Sequence, residues 1–280
     1  MKTRYYVAVT RWLLAALAVV LATTGILATA AQSPEAGDRT MTVSAYFVRD
    51  EKIGAAHREI VVPEDKAVAA AAMRELLAGP TADEEDAGLS TAIPEETDLI
   101  DLALESETKI ITVNLSAAFE SGGGSLSMRA RLAQVVYTLT QFPTIETVLF
   151  QLEGEPVEVF GGEGVILEEP VGRADFEDVT PLIFVEAPAP GDTVSSPIRV
   201  WGTANTFEAT LLIDVRDAND EIVANEVVTA TSGSGTRGTF DVEIAFGSHA
   251  TGDGTVTAYE ISARDGGRVN VVEIPVVIEG

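Results

Sequence analysis

Three short stretches carry the residue types that chemistry needs. Gly88-Leu89-Ser90-Thr91-Ala92 has the spacing of a nucleophile elbow. An elbow requires a buried strand before the serine, a helix after it and a histidine downstream to take the proton. Here a helical segment precedes Ser90, Pro94 follows it, and the one downstream histidine is His249, in a distant glycine-rich loop. Hydrolase chemistry at Ser90 is therefore the last of the readings. Gly122-Gly123-Gly124-Ser125-Leu126-Ser127 opens a helix as a phosphate loop does, but lacks the lysine that reaches the outer phosphates. Arg129 and Arg131 leave a free helix N-terminus as an anion site. The competing reading is packing: Met128, Leu132, Val135, Val136, Leu139 and Phe142 share one face. Ser125 or Ser127 is expected to cap this helix and Pro143 to end it. Asp217, Asn219, Asp220 and Glu221 crowd one turn without the spacing of a calcium loop, and read as an Asx-rich hairpin turn.

The remaining candidates are isolated. Trp201, in "RVWGTA", is either a ligand-stacking ring or a packing side chain. His57 beside Arg58 reads as a solvated residue of a polar loop. The acids are too evenly spread for any pair to stand out as the two carboxylates of a glycosidase. Cysteine is absent, which excludes disulfides, thiolate nucleophiles and cysteine-held metals. No catalytic, cofactor-binding or metal residue is assigned, and no cofactor is expected. The buried faces are expected to be filled with aliphatic side chains, leaving no pocket around a reactive group.

The elements that must position these residues follow a leader. Residues 1–31 hold Lys2, Arg4 and Arg11, no acid, and an apolar run from Trp12 to Ala31 ending in Ala28-Thr29-Ala30. About 20 helical residues span a bilayer core, and an A-x-A site invites cleavage near Ala30. The segment reads as a signal peptide or a membrane anchor, placing the body outside the cytoplasm, either membrane-anchored or secreted. The rest carries 15 basic against 44 acidic groups, a net of −29. Such a body repels nucleic acid and anionic headgroups, so no nucleic-acid partner is expected and the membrane is met only through the leader.

Residues 32–39 read as a linker. In 40–160, Met41, Val43, Ala45 and Phe47 alternate as a strand, with a short second one at Ile60–Val62. Asp65–Ala78 is helical and stops at Gly79-Pro80. Thr81 and Glu84 have capping-box spacing for a short helix. Two strands follow, around a turn at "SETK", then the glycine-led helix and strands near 148–152 and 157–159. The order β-α-α-β-β-α-β-β, with hairpins in place of regular crossovers, predicts an α+β domain. A connector, 161–182, includes a helical turn at "RADFEDV". From 183 to 280 the period becomes two, with turn residues in every gap, predicting an immunoglobulin-like β-sandwich of some seven strands.

The strings "LLAGPTADEEDAGLSTAIPEET", "VNLSAAF" and "GGGSLSMRARLAQVVYTLTQFPTIETVLFQLEGEPVEVFGG" resemble a GerMN domain of sporulation and spore-germination proteins. The segment from "IFVEAPAPGDTVSSPIRVWGTANTFEATLLIDVRD" onward resembles the immunoglobulin-like domain that accompanies bacterial germination proteins. The resemblance implies an extracytoplasmic, non-enzymatic scaffold or assembly protein of the cell envelope. It would act through envelope proteins or self-assembly and carries no catalytic residue set. Relatives of this kind are often lipoproteins, whereas this chain lacks the cysteine. A peptidoglycan or cell-wall polysaccharide module is the alternative.

Overall fold

The computed structural model describes residues 38–63, 68–162, 164–247 and 251–279. The leader, most of the linker and His249 lie outside them. No helix among the described residues is long and apolar enough to cross a membrane.

The described residues begin with a hairpin, β1 (Asp38–Arg49) and β2 (Lys52–Pro63), turning at Asp50 and Glu51, both with positive φ. The second strand is thus twelve residues long, not the short Ile60–Val62 expected, so two strands precede the first helix. It also takes His57 and Arg58 out of a solvated loop. Arg58 bonds Glu84 and Glu75. His57 Nδ1 lies 2.7 Å from Asp192 Oδ2. Helix α1 (Val68–Leu77) buries Ala72, Met73 and Leu76. Helix α2 (Ala82–Asp86) carries the expected capping box, Thr81 with Glu84.

Strands β3 (Leu99–Glu105) and β4 (Ile110–Leu115) form the expected hairpin. Helix α3 (Ser125–Leu139) then leads to β5 (Thr147–Leu152), which pairs with β4 in parallel. This is a βαβ crossover where hairpins alone were expected. Two residues, β6 (Glu155–Pro156), complete the sheet β3-β4-β5-β6. A small hairpin, β7 (Val159–Phe160) and β8 (Val165–Ile166), and the helical turn Arg173–Val179 form the connector.

Helix α3 is the centre of this module. It does not lay one stripe on a sheet: Ala130 through Leu139 are all buried. Its N-cap is Gly124, with no side-chain cap, in place of Ser125 or Ser127. It ends at Leu139, ahead of Pro143. The polar residues that look like a solvent face instead line the outer edge of β1. Gln141 exchanges two bonds with Ser44, Thr138 accepts the Tyr46 N–H, and Gln134 donates to the Tyr46 carbonyl. Side chains here do what a neighbouring strand would do, and the buried edge is satisfied.

The second module is a sandwich of a three-stranded and a five-stranded sheet, orders β14-β11-β9 and β10-β16-β15-β12-β13. Its strands are β9 (Ile183–Ala187), β10 (Thr193–Val194), β11 (Ile198–Ala204), β12 (Thr210–Arg216), β13 (Ile222–Thr229), β14 (Gly238–Ile244), β15 (Gly252–Ile261) and β16 (Arg268–Ile278). All pairs are antiparallel except β10 with β16. The expected aliphatic core is present: Ile198, Val200, Leu211, Ile213, Val215 and Ile244 are buried between the sheets. Gly202 is required where β11 meets β9, since a Cβ there would stand 2.0 Å from the Phe184 carbonyl oxygen.

Candidate functional site

The sequence-derived candidates stay apart. Ser90 is exposed, in a two-residue bridge to Val48, and its hydroxyl donates to the Val48 carbonyl. The glycine loop is no anion cradle. Arg131 is buried and spends its guanidinium on the carbonyls of Ala92, Phe119, Ser121 and Gly122. Burial lowers its pKa. Arg129 holds the Asp178 carboxylate through Nε and Nη2. The acidic turn is Asx-built: Asp217 Oδ1 accepts the N–H groups of Asn219 and Glu221. Among the described residues no three His, Asp or Glu side chains gather at metal-ligating distance. Trp201 is partly exposed on β11, paired in register with Ala187 and Asp241.

What the fold brings together is a polar joint between the two modules. Its centre is Arg173, from the connector turn. Nη1 bonds both carboxylate oxygens of Glu186 at 2.9 and 3.0 Å. Nη2 reaches the Tyr46 hydroxyl and the Tyr137 carbonyl, and Nε reaches Thr140. The guanidinium sits 4.6 Å from the Tyr137 ring centre and 5.3 Å from that of Tyr46, in cation–π range. Tyr46 donates a short bond to Glu186. Tyr137 donates to Thr180 at 2.7 Å, since that hydroxyl itself donates to Phe176. Phe184, from β9, packs its ring 6.1 Å from Tyr46 and 5.6 Å from Tyr137, and so belongs to the core of the first module.

The electrostatics follow from this burial. Desolvation, reinforced by Glu186, raises the Tyr46 phenol far above its ordinary value, so it stays a donor. Burial also raises Tyr137. Burial opposes the Arg173 charge, but Tyr46 and Glu186 outweigh it and the net shift is upward. Nearby, Arg237 forks onto Glu177 with Asn205 behind it. Burial works against the Glu177 charge, yet these bonds hold its pKa below the usual range. Arg129 does the same for Asp178. None of these groups is left free to act as a base.

Beside the joint lies a cleft of about 720 Å³. Ile53 and Ala55 of β2, Ile183 and Val185 of β9, and Val271 and Ile274 of β16 supply its apolar walls. Arg49 and Lys52, at the hairpin tip, stand at its mouth and bond the carbonyls of Glu273 and Asp178. It holds neither serine nor histidine. Sequence reasoning missed Tyr46, Tyr137, Arg173 and Glu186. One signal was available: Glu186 is the lone acid in Ile183-Phe184-Val185-Glu186-Ala187, and a carboxylate inside an apolar strand needs a partner.

Comparison with known proteins gives these modules their kinship. Residues 44–158 match the Germane family, described as sporulation and spore germination. Residues 182–267 match Gmad2, the immunoglobulin-like domain of bacterial spore germination. The chain carries a Germane domain followed by a Gmad2 domain. Tandem GerMN domains of the sporulation protein GerM from Bacillus subtilis share 14% identity, over 74% of this chain and 62% of that one, with a TM-score of 0.39. The first GerMN domain of the same protein shares 17% over 49% of this chain and 100% of that one, TM-score 0.38. A candidate lipoprotein from Clostridium perfringens shares 21% over 53% of this chain and 97% of that one, TM-score 0.36. No curated protein matches the sequence. Both families are associated with sporulation and germination, and neither is a catalytic family.

Proposed function

We propose that the Germane–Gmad2 chain is a non-enzymatic scaffold of the cell envelope, acting outside the cytoplasm through protein–protein contacts. The observation that supports this reading is the joint: Phe184 of the Gmad2 module completes the Germane core, and Arg173 ties Tyr46, Tyr137 and Glu186 across the boundary. A chain built to hold two recognition modules at one fixed angle suits assembly. Localisation follows from the basic, then apolar leader. Crosslinking the tagged protein in its own envelope, followed by identification of the attached species, should recover defined protein partners. Recovery of none at native expression counts against the scaffold.

A cell-wall polysaccharide module is the second reading. It is supported by Trp201, partly exposed on β11 beside the exposed Arg199–Asp241 pair, an arrangement that suits stacking on a sugar. Sedimentation with purified peptidoglycan tests it, and Trp201→Ala should abolish any pelleting.

A further inference from the structure

A smaller crevice, of about 440 Å³, opens between the connector turn and the Gmad2 module. Ligand sites favour such junctions and run from about 300 to 1,000 Å³, so this one suits a short run of sugar residues. Its walls are polar. Arg173 and Glu177 come from the connector turn, Thr203 and Asn205 from the end of β11, and Thr236 and Arg237 from the loop before β14. Their charges are already matched. Arg237 forks onto Glu177 at 2.7 and 2.9 Å, and Arg173 holds Glu186 at 2.9 and 3.0 Å. An anion would have to displace a carboxylate, and would meet a body of net charge −29. A cation finds both carboxylates taken. The ligand that fits is uncharged.

The same groups keep hydrogen-bonding capacity. Arg237 donates from Nε and Nη2 to Glu177, from Nη2 also to the Pro181 carbonyl, and from Nη1 to the Thr203 hydroxyl. A terminal guanidinium nitrogen carries a pair of hydrogens, so Nη1 retains one. The Glu177 carboxylate accepts from Arg237 Nε and Nη2 and from Asn205, and its side chain is 42% exposed. A carboxylate has about four lone-pair sites, so it retains an acceptor. A spare donor beside a spare acceptor, on planar groups that hold each other rigid, matches a hydroxyl, which both donates and accepts. Adjacent hydroxyls of a pyranose present such pairs in series. The exposed Thr236 adds a hydroxyl to the wall.

Strand geometry brings an aromatic ring to the same surface. Along β11, Ile198, Val200, Gly202 and Ala204 are buried, so Arg199, Trp201 and Thr203 face outward together. Same-face neighbours on a strand stand about 7 Å apart. Trp201 is thus the next outward side chain after Thr203 of the crevice wall, and it is partly exposed. The C–H groups of a sugar ring carry slight positive charge and lie well against the negative face of an indole.

We infer that the crevice and Trp201 form one binding site for a neutral polysaccharide, with one sugar ring against the indole and its neighbour hydrogen-bonded to Arg237 and Glu177 in the crevice. The inference deepens the polysaccharide reading and rests on it for the role of Trp201. It is independent of the scaffold reading.

Fluorescence of the full-length protein tests it in a Trp12→Phe background, where Trp201 is the sole tryptophan. The probes are the neutral trisaccharides triacetylchitotriose and cellotriose. At least one should shift the Trp201 emission saturably. Ala174→Phe, at an exposed position lining the crevice, should weaken that binding at least about tenfold without lowering Tm. Thr236→Tyr, from the loop before β14, should do the same. No saturable response to either sugar up to its solubility limit would overturn the assignment. So would an affinity that both crevice variants leave unchanged, or tighter binding of the anionic trigalacturonate than of the neutral sugars. If the trisaccharides fail while peptidoglycan still pellets the protein through Trp201, the crevice assignment alone falls. If they bind through the crevice and peptidoglycan pellets nothing, the cell-wall reading falls and the crevice stands.

Discussion

Arg173 shows how one side chain can join two modules. Its partner Glu186 is 4% exposed, so removing the guanidinium strands a carboxylate in the interior. Arg173→Met should therefore destabilise by about 3–5 kcal/mol, the usual penalty for breaking a buried pair from one side. Glu186→Gln keeps an acceptor for Tyr46 and leaves a less buried cation behind. It should be milder, about 1–3 kcal/mol. Urea titration of both variants checks the order, and a reversed order would show that the charge is not what matters. The role of Arg173 was not legible in the sequence, because "VGRADFED" looks like any acidic connector. The arginine acquires meaning only when β1, α3 and β9 converge on it.

At the scale of elements, α3 is the informative case. Its apolar spacing correctly marked a helix, and Met128, Leu132, Val135, Val136 and Leu139 are buried as the stripe required. Gln134 and Thr138 lie outside that stripe, yet both are fully buried. A polar residue that completes a strand edge cannot be told by spacing from one that meets water, since both are simply not apolar. Gln134 serves Tyr46, Thr91 and Ala92 at once. Gln134→Leu should leave the Tyr46 carbonyl and Ala92 N–H unpaired and cost about 1–3 kcal/mol. The Ala92 amide should exchange faster in the variant than in the parent. Unchanged exchange there would mean that this edge is not held by the helix.

On the scale of the whole molecule, the shared core couples the modules. The described residues cluster as one unit. Calorimetry should accordingly show a single transition. Phe184→Ala removes the ring that Gmad2 lends to the Germane core and should cost about 3–5 kcal/mol, splitting the transition in two. Acid should loosen the same joint. Arg237 and Arg129 depress the carboxylate pKa values of Glu177 and Asp178 relative to the unfolded chain. Groups with depressed folded values contribute stability above the unfolded pKa, about 4, and lose it as pH falls through the folded value. Their contribution to Tm should be flat from pH 7 to about 5 and decline below about 4. Arg129→Gln with Arg237→Gln should flatten that decline, and an unaltered acid limb would assign it to other carboxylates.

Local chemistry was sufficient for a good part of this protein. The Thr81–Glu84 capping box, the β3–β4 hairpin, the helical turn at Arg173–Val179 and the aliphatic alternation of the sandwich each depend on neighbours a few residues apart. Their signals therefore survive in one dimension. The parallel pairing of β4 with β5, the burial of α3 all round from Ala130 to Leu139 and the Tyr46–Arg173–Glu186 cluster belong to the tertiary structure. Each joins residues far apart in sequence, and which distant donor meets which acceptor is decided by packing, not by periodicity.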